Sequence, residues 1–318
     1  MINYNETTFN KLVGKYDTTI FSFMEEVGTS KGDSNIINEL FTRQDSNEPD
    51  VAIHGTTAHS DAKPHTGTRN YEDIAEWYTK KIDFDEFSLT EVFGRKFLDD
   101  NKLLNMQNRG VSLMRSAYRT HENFAAQVFI NCDQSSFTKD GKSYDWTLSA
   151  DNVAFVSDSH TSVTGRCNTL DNKTTNALDG DNFQTAINTI GKFEDDNGNQ
   201  GTYFGDTLVV GIDLVKPALE LINSDGKATT ANRDYNIYQG SMRLIVWNRF
   251  KQQSGKTGYP WLLIDSESAK EDLYFLDRVK PEITDNRNWQ TMTWEVGVYF
   301  RFAIGIYGWR WCVGNIPA

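Results

Sequence analysis

From Met292 to Ile306 every even position is apolar: Met292, Trp294, Val296, Val298, Phe300, Phe302, Ile304 and Ile306. The odd positions are polar, small or amphipathic: Thr293, Glu295, Gly297, Tyr299, Arg301, Ala303 and Gly305. A period of two predicts a strand with one buried face. Strands usually run about 5–6 residues, so this one is long. An element of that length suits an elongated subunit, covered by a long partner or by a neighbouring copy. A second periodicity runs from Leu103 to Ile130. Leu103, Met106, Leu113, Met114, Ala117, Tyr118, His121, Phe124, Ala125, Val128 and Phe129 recur near every 3.6 residues. They predict a helix of roughly 40 Å at 1.5 Å per residue, with Gly110 as a candidate kink or a split into two helices. This helix is the expected partner of the C-terminal strand.

The remaining pattern fills in around these two elements. Phe9, Leu12, Val13, Tyr16, Ile20, Phe21, Met24 and Val27 predict one amphipathic helix ending near Gly28 and Gly32. Asn35–Arg43 and Tyr71–Val92 read as extended or mixed segments flanking the polar, turn-rich stretch Gln44–Asn70. That arrangement predicts a long hairpin or flap, of a length that is usually functional in a compact domain. Asp133–Lys173 reads as turns and short strands. Beyond it, helices are expected at Asp181–Ile190 and Pro217–Asn223. Strands are expected at Thr207–Ile212, Tyr238–Trp247 and Trp261–Ile264. The block 181–280 thus reads as an α/β lobe inserted between the long helix and the last strand.

Composition narrows the function. The chain has 318 residues, 44 acidic against 32 basic, for a net charge of −12. No Lys/Arg cluster offers the basic patch that nucleic-acid binding needs. Three widely spaced cysteines, Cys132, Cys167 and Cys312, argue against a disulfide framework and for a reducing compartment. No apolar run reaches the roughly 18 residues of a membrane span, and no signal peptide opens the sequence. Eight tryptophans and 13% aromatic residues suit extensive cores and subunit interfaces.

Arm, flap, long helix, inserted lobe and final long strand, in that order, resemble the Hong Kong 97-type capsid fold of tailed phages. Local motifs point to the Mu-like major head subunits. Phe155-Val156-Ser157-Asp158-Ser159-His160, with Gly165 and Asn168, is similar to that family's serine–histidine–asparagine segment. Gly205–Val210 followed by Pro217-Ala218 is similar to its passage into the A-domain. Tyr299, Arg301, Gly305 and Trp309 match its aromatic-Arg-Gly-Trp ending. The resemblance implies an α+β chain divided into an N-arm (1–33), an E-loop with flanking strands (34–100), a P-domain with spine helix (101–180), an A-domain (181–280) and C-terminal P-domain strands (281–318). It implies a non-catalytic subunit, without cofactor, that self-assembles in hexamers and pentamers into the icosahedral head. The shell would enclose double-stranded DNA without reading its sequence. Expected partners are further copies, a portal protein and, where used, separate scaffolding and decoration proteins. With about thirty residues ahead of the flap, a fused scaffold is not expected. Assembly would take place in the host bacterial cytoplasm, and the product is the virion capsid. His54, His59, Lys63, His65, Arg69 and Trp77 are the expected flap contacts. Tyr118, Phe124, Trp294, Phe300 and Phe302 are the expected packing of spine and final strand.

Chemistry-bearing clusters have plainer readings. His54, His59 and His65 with Asp50 and Asp61 match no rigid metal-ligand spacing. Asp158, Ser159 and His160 are adjacent, and neighbours in a strand point to opposite faces, so a triad is not expected; His160 is expected to bond backbone in a turn. Asp83, Asp85 and Glu86 beside Trp77 and Tyr78 could imitate a glycosidase, but Ile82, Phe84, Phe87 and Leu89 make the acids a solvated strand face. Some relatives of the fold join a flap lysine to a neighbour's asparagine, for which Lys63, Lys80, Lys81, Asn286 and Asn288 are the candidates; nothing in these residue types requires it. Two alternatives stay open: an encapsulin-type compartment enclosing protein cargo, and an acidic, Trp-rich carbohydrate-active enzyme.

Overall fold

The computed structural model describes residues 5–30, 35–67, 69, 71, 74, 76–100, 102–167, 171–225 and 236–317. The N-terminal segment is two helices, not one. Asn5 accepts a hydrogen bond from Thr8 N and caps α1 (Glu6–Val13), which stops at Gly14. The chain turns through Tyr16, whose hydroxyl donates to the Leu98 carbonyl at 3.2 Å, and restarts as α2 (Asp17–Ser30). Gly28, an expected stop, lies inside α2; Gly32 is outside the described residues. Part of the expected extended stretch is helical too: α3 (Asn35–Leu40) precedes β1 (Thr42–Asp45). Next come β2 (Asp50–Thr56) and β3 (Glu76–Asp83), which pair as an antiparallel hairpin, then β4 (Asp85–Gly94) and the short α4 (Arg95–Asp99).

The spine helix α5 (Leu103–Ile130) is continuous for 28 residues. Gly110 does not split it. A Cβ there would meet Ile20 Cγ2 at 3.0 Å and Met24 Sδ at 3.1 Å, so the glycine marks where α2 crosses α5.

Small strands β5 (Phe137–Lys139), β6 (Lys142–Tyr144) and β7 (Lys173–Thr174) follow. Then come α6 (Gly180–Ile190), capped by Asp179, and β8 (Thr207–Val210). A 3-10 turn at Ile212–Leu214 leads into α7 (Val215–Asn223). Pro217 sits in its first turn, where its missing N–H has no partner to lose. Four-residue strands β9 (Arg243–Val246) and β10 (Trp261–Ile264) come next, then α8 (Ser266–Asp272), capped by Asp265. The strand expected from Tyr238 therefore begins only at Arg243. The chain closes with β11 (Leu273–Asn288), β12 (Thr293–Ile306) and β13 (Cys312–Asn315).

Two sheets organise these parts. The long sheet has the order β1-β11-β12-β4, and the lobe sheet β7-β13-β10-β8-β9. β12 is the predicted long strand, less Met292, which sits in the β11–β12 turn with φ of 52°. Its main partner is β11, which the hydrophobic pattern did not reveal. Register shifts at Asp277/Val279 and Val279/Glu282 break the alternation there, and Pro281 removes one ladder donor at the irregularity. The limit expected at 280 falls inside β11, and β13, from the 281–318 segment, pairs within the lobe sheet.

The core between α5 and the long sheet is aromatic. Phe124 and Phe302 are 2% and 0% exposed, with ring centroids 5.7 Å apart. Phe302 also stacks on Phe87 at 4.8 Å and Phe275 at 5.3 Å. Phe300 stacks on Phe87, and Trp294 packs on Phe21 and Phe93. Tyr118, on the same helix, is half-buried and donates to the Gly28 carbonyl at 3.4 Å, where the absence of a side chain lets the phenol approach.

Candidate functional site

The flap is the hairpin of β2 and β3 with the long exposed stretch between them. β2 and β3 form its stem, and His54, His59, Lys63, His65 and Arg69 are all exposed. His59, Lys63, His65 and Arg69 line one open concavity with Tyr71, whereas His54 lies on the stem with its ring Nδ1 3.0 Å from Thr79 Oγ1. Trp77 differs from these five. It is half-buried, its ring meets Tyr307 edge-on at 4.7 Å, and it fixes the stem to its own subunit.

Tyr307, just beyond β12, is the residue that positions the flap. Its hydroxyl donates to the Tyr78 carbonyl at 3.2 Å. Gly55 leaves the space it occupies: a Cβ there would fall 1.5 Å from the phenol oxygen. Gly305 does the same for Ile82 of the stem, at 2.1 Å. Further out, the Tyr78 hydroxyl lies 2.9 Å from Thr161 Oγ1. The outer flap then reaches the lobe, where Asn197 Nδ2 donates to the Ala58 carbonyl and Asn199 Nδ2 lies 3.5 Å from the His59 carbonyl. No sequence motif marked these two asparagines. The only hint is the Asp195–Gly201 run of turn formers.

Beneath the flap lies a polar knot centred on Trp309. His160 stacks on the indole at 4.2 Å, and the Arg310 guanidinium lies over it at 4.8 Å. His160 Nδ1 is 2.8 Å from Asp151 Oδ2, and both side chains are buried. Burial alone would push the Asp151 carboxyl up, but hydrogen bonds from His160, Ser149 and Val153 N hold it below the usual carboxylate range. His160 thus bonds a carboxylate, not backbone. Ser159 turns to Ser157 and Asp158 to solvent, so the adjacent trio forms no catalytic array. Asn168 of the same motif lies outside the described residues. Arg310 donates to the Glu194 carbonyl at 2.8 Å and to Asp196 at 3.2 Å, which ties the C-terminal turn to the base of the Asn197–Asn199 turn.

The other candidates separate. Lys81 pairs with Asp83, Lys142 with Asp85, and Arg301 with Glu86, so each of these carboxylates has a cation. Lys80 is buried, and desolvation lowers its pKa. Asn286 lies within β11 and donates to Glu295. Among the described residues no group of three or more His, Cys, Asp or Glu is placed to hold a metal, and no helix is long and apolar enough to cross a membrane.

Known proteins give this geometry a family. The family model described as phage capsid protein matches residues 78–315, from the flap stem through β13. No curated protein sequence matches the chain. Among solved structures, the capsid of Myoviridae phage XM1 is similar, with TM-score 0.55 and 11% identity over 89% of this chain and 92% of that one. The capsid of an empty GTA particle has TM-score 0.53 and 9% identity, with 89% of each chain covered. The cyanophage P-SCSP1u capsid has TM-score 0.53 and 10% identity over 90% of this chain and 89% of that one. At such identities the likeness concerns fold, and the fold is the Hong Kong 97-type capsid fold. The family match carries function: the chain belongs to the phage capsid protein family and is a major capsid protein, a structural and non-catalytic subunit of the icosahedral phage head.

Proposed function

We propose that the subunit assembles into hexamers and pentamers that close into a shell around double-stranded DNA. The family match over residues 78–315 is the observation that carries this reading. The geometry is consistent with it. The long sheet and α5 make a stiff beam, and the exposed flap residues His54, His59, Lys63, His65 and Arg69 offer a polar contact, with the Lys63 and Arg69 cations, for the next subunit of an acidic chain. Contacts of this kind are heterologous and close by rotation. In the same reading 1–33 is the arm, 34–100 the E-loop, 101–180 and 281–318 the spine domain and 181–280 the axial lobe. A net charge of −12 limits adhesion to packaged DNA. A portal protein fills one vertex, scaffolding and decoration proteins act where the phage encodes them, and assembly takes place in the host cytoplasm. The local motifs favour a Mu-like head subunit.

Expression in bacteria, alone and with the phage's head-assembly proteins, followed by negative-stain microscopy, tests the reading. Closed particles or capsomers are expected. A strictly monomeric product under both conditions would overturn it.

A further inference from the structure

We propose that the flap is held against its own lobe in the free subunit, by a latch that must open before the flap can reach a neighbour. The inference rests on the assembly reading above. Its pivot is the Gly55–Tyr307 contact, where the phenol sits against the stem backbone, donates to the Tyr78 carbonyl and carries the Trp77 ring on its edge. Its catch is the Asn197–Asn199 turn, whose side-chain amides face the carbonyls of Ala58 and His59.

The two ends are built differently. At the pivot, half-buried aromatic rings and a glycine-sized gap define one arrangement. At the catch, the backbone carbonyls of the exposed Ala58 and His59 meet amides on a turn, a contact that water replaces at little cost. The turn itself is firm: Asp195 accepts from Asn197 N and Asn199 N at 2.8 and 2.9 Å, and the buried Arg310–Asp196 pair anchors its base. A firm catch with a weak grip is a releasable one. While the latch is closed, those carbonyls and the outer flap are committed to the same subunit. Only the open fraction can dock on another copy, and apparent affinity for the neighbour falls by that fraction.

Asn197→Ala removes one amide of the catch and leaves the Asp195 contacts to the turn backbone in place. Losing a hydrogen bond of this kind shifts the open-to-closed ratio by roughly tenfold at most. Hydrogen exchange at residues 55–60 of the isolated subunit is expected to speed up, and the assembly lag seen by light scattering to shorten. The complementary variant, Ala58→Cys with Asn197→Cys joined by a short thiol crosslinker, is expected to stay unassembled while its uncrosslinked form makes shells. Unchanged exchange in Asn197→Ala, or shells from the crosslinked form at the wild-type rate, would overturn the latch. Failure of wild type and every variant to assemble would instead count against the assembly reading, and the exchange measurement would still decide whether the latch exists.

Discussion

Gly110 of the spine helix lies directly beneath Ile20 of α2, so close that a Cβ would meet Ile20 Cγ2 at 3.0 Å. A glycine inside a long helix costs about 1 kcal/mol relative to alanine. Here it lets the N-terminal helix settle on the spine. Gly110→Leu is expected to destabilise the subunit by about 1–3 kcal/mol through overpacking. Ile20→Ala in the same chain should recover part of the loss. Urea unfolding of the two single variants and the double checks it; additive losses would mean that the crossing is not the cause.

Phe300 is 3% exposed, between Phe87 and His121. Phe300→Asp places an unpaired carboxylate in that stack and is expected to give insoluble protein. The milder Phe302→Ala should cost about 3–5 kcal/mol. A soluble Phe300→Asp with unchanged circular dichroism would mean that the strand presents its other face to the helix.

Asp272, where α8 becomes β11, gives a pH signature. Burial, aided by the neighbouring Glu271 charge and opposed by a hydrogen bond from Gly308 N, pushes its carboxyl up to about 7. The folded chain therefore holds a proton that the unfolded chain releases near its usual value of 3.8. Between these values the native state binds more protons, so this group's contribution to stability falls as pH rises and is gone above about 7. Asp272→Asn removes that slope. Melting temperatures from about pH 5 to 8, wild type against variant, are expected to diverge with a steeper decline in wild type; parallel curves would sink the assignment.

Replacing residues 58–74 with a short Gly/Ser turn keeps the β2–β3 stem and its Tyr307 pivot. The subunit is expected to melt as wild type does, because this loop is mostly exposed, and to give few or fragile shells. Calorimetry of the subunit and particle counts by microscopy, on one preparation, test both halves. Normal shells would show that the outer flap makes no assembly contact.

Cys132, Cys167 and Cys312 form no disulfide and are buried, and burial pushes the Cys132 and Cys312 thiols up. All three are expected to resist alkylation in the native subunit and to react after unfolding. Mass spectrometry that finds a stoichiometric disulfide in the particle would contradict this.

The sequence made the regular elements legible and concealed the irregular ones. The spine helix reads directly from its stripe because it buries one face along its whole length. The same holds for the even positions of β12. β11 escaped because its bulges, Pro281 and the run Thr284–Asn288 interrupt the alternation. Gly28 and Gly110 read as a stop and a kink because their real role, close approach of another element, is set by residues far away in the chain. In the flap, exposure followed from polarity for His54, His59, Lys63, His65 and Arg69. Trp77 reads like them in the sequence, but its partner Tyr307 lies 230 positions away, which no local pattern reveals. The Asp151–His160 pair is the same case at shorter range: a loop brings together two residues that spacing does not relate.

β13 has a consequence in time. Cys312–Asn315 pair with Trp261–Ile264 on one side and Lys173–Thr174 on the other, so they supply the strand that joins two pieces of the lobe sheet. During synthesis at about 5–20 residues per second, the arm, flap stem and spine emerge well before that strand does. The lobe can close only after residue 315 has cleared the ribosome. Emergence of a single four-residue strand thus completes the lobe sheet, long after the spine that carries it.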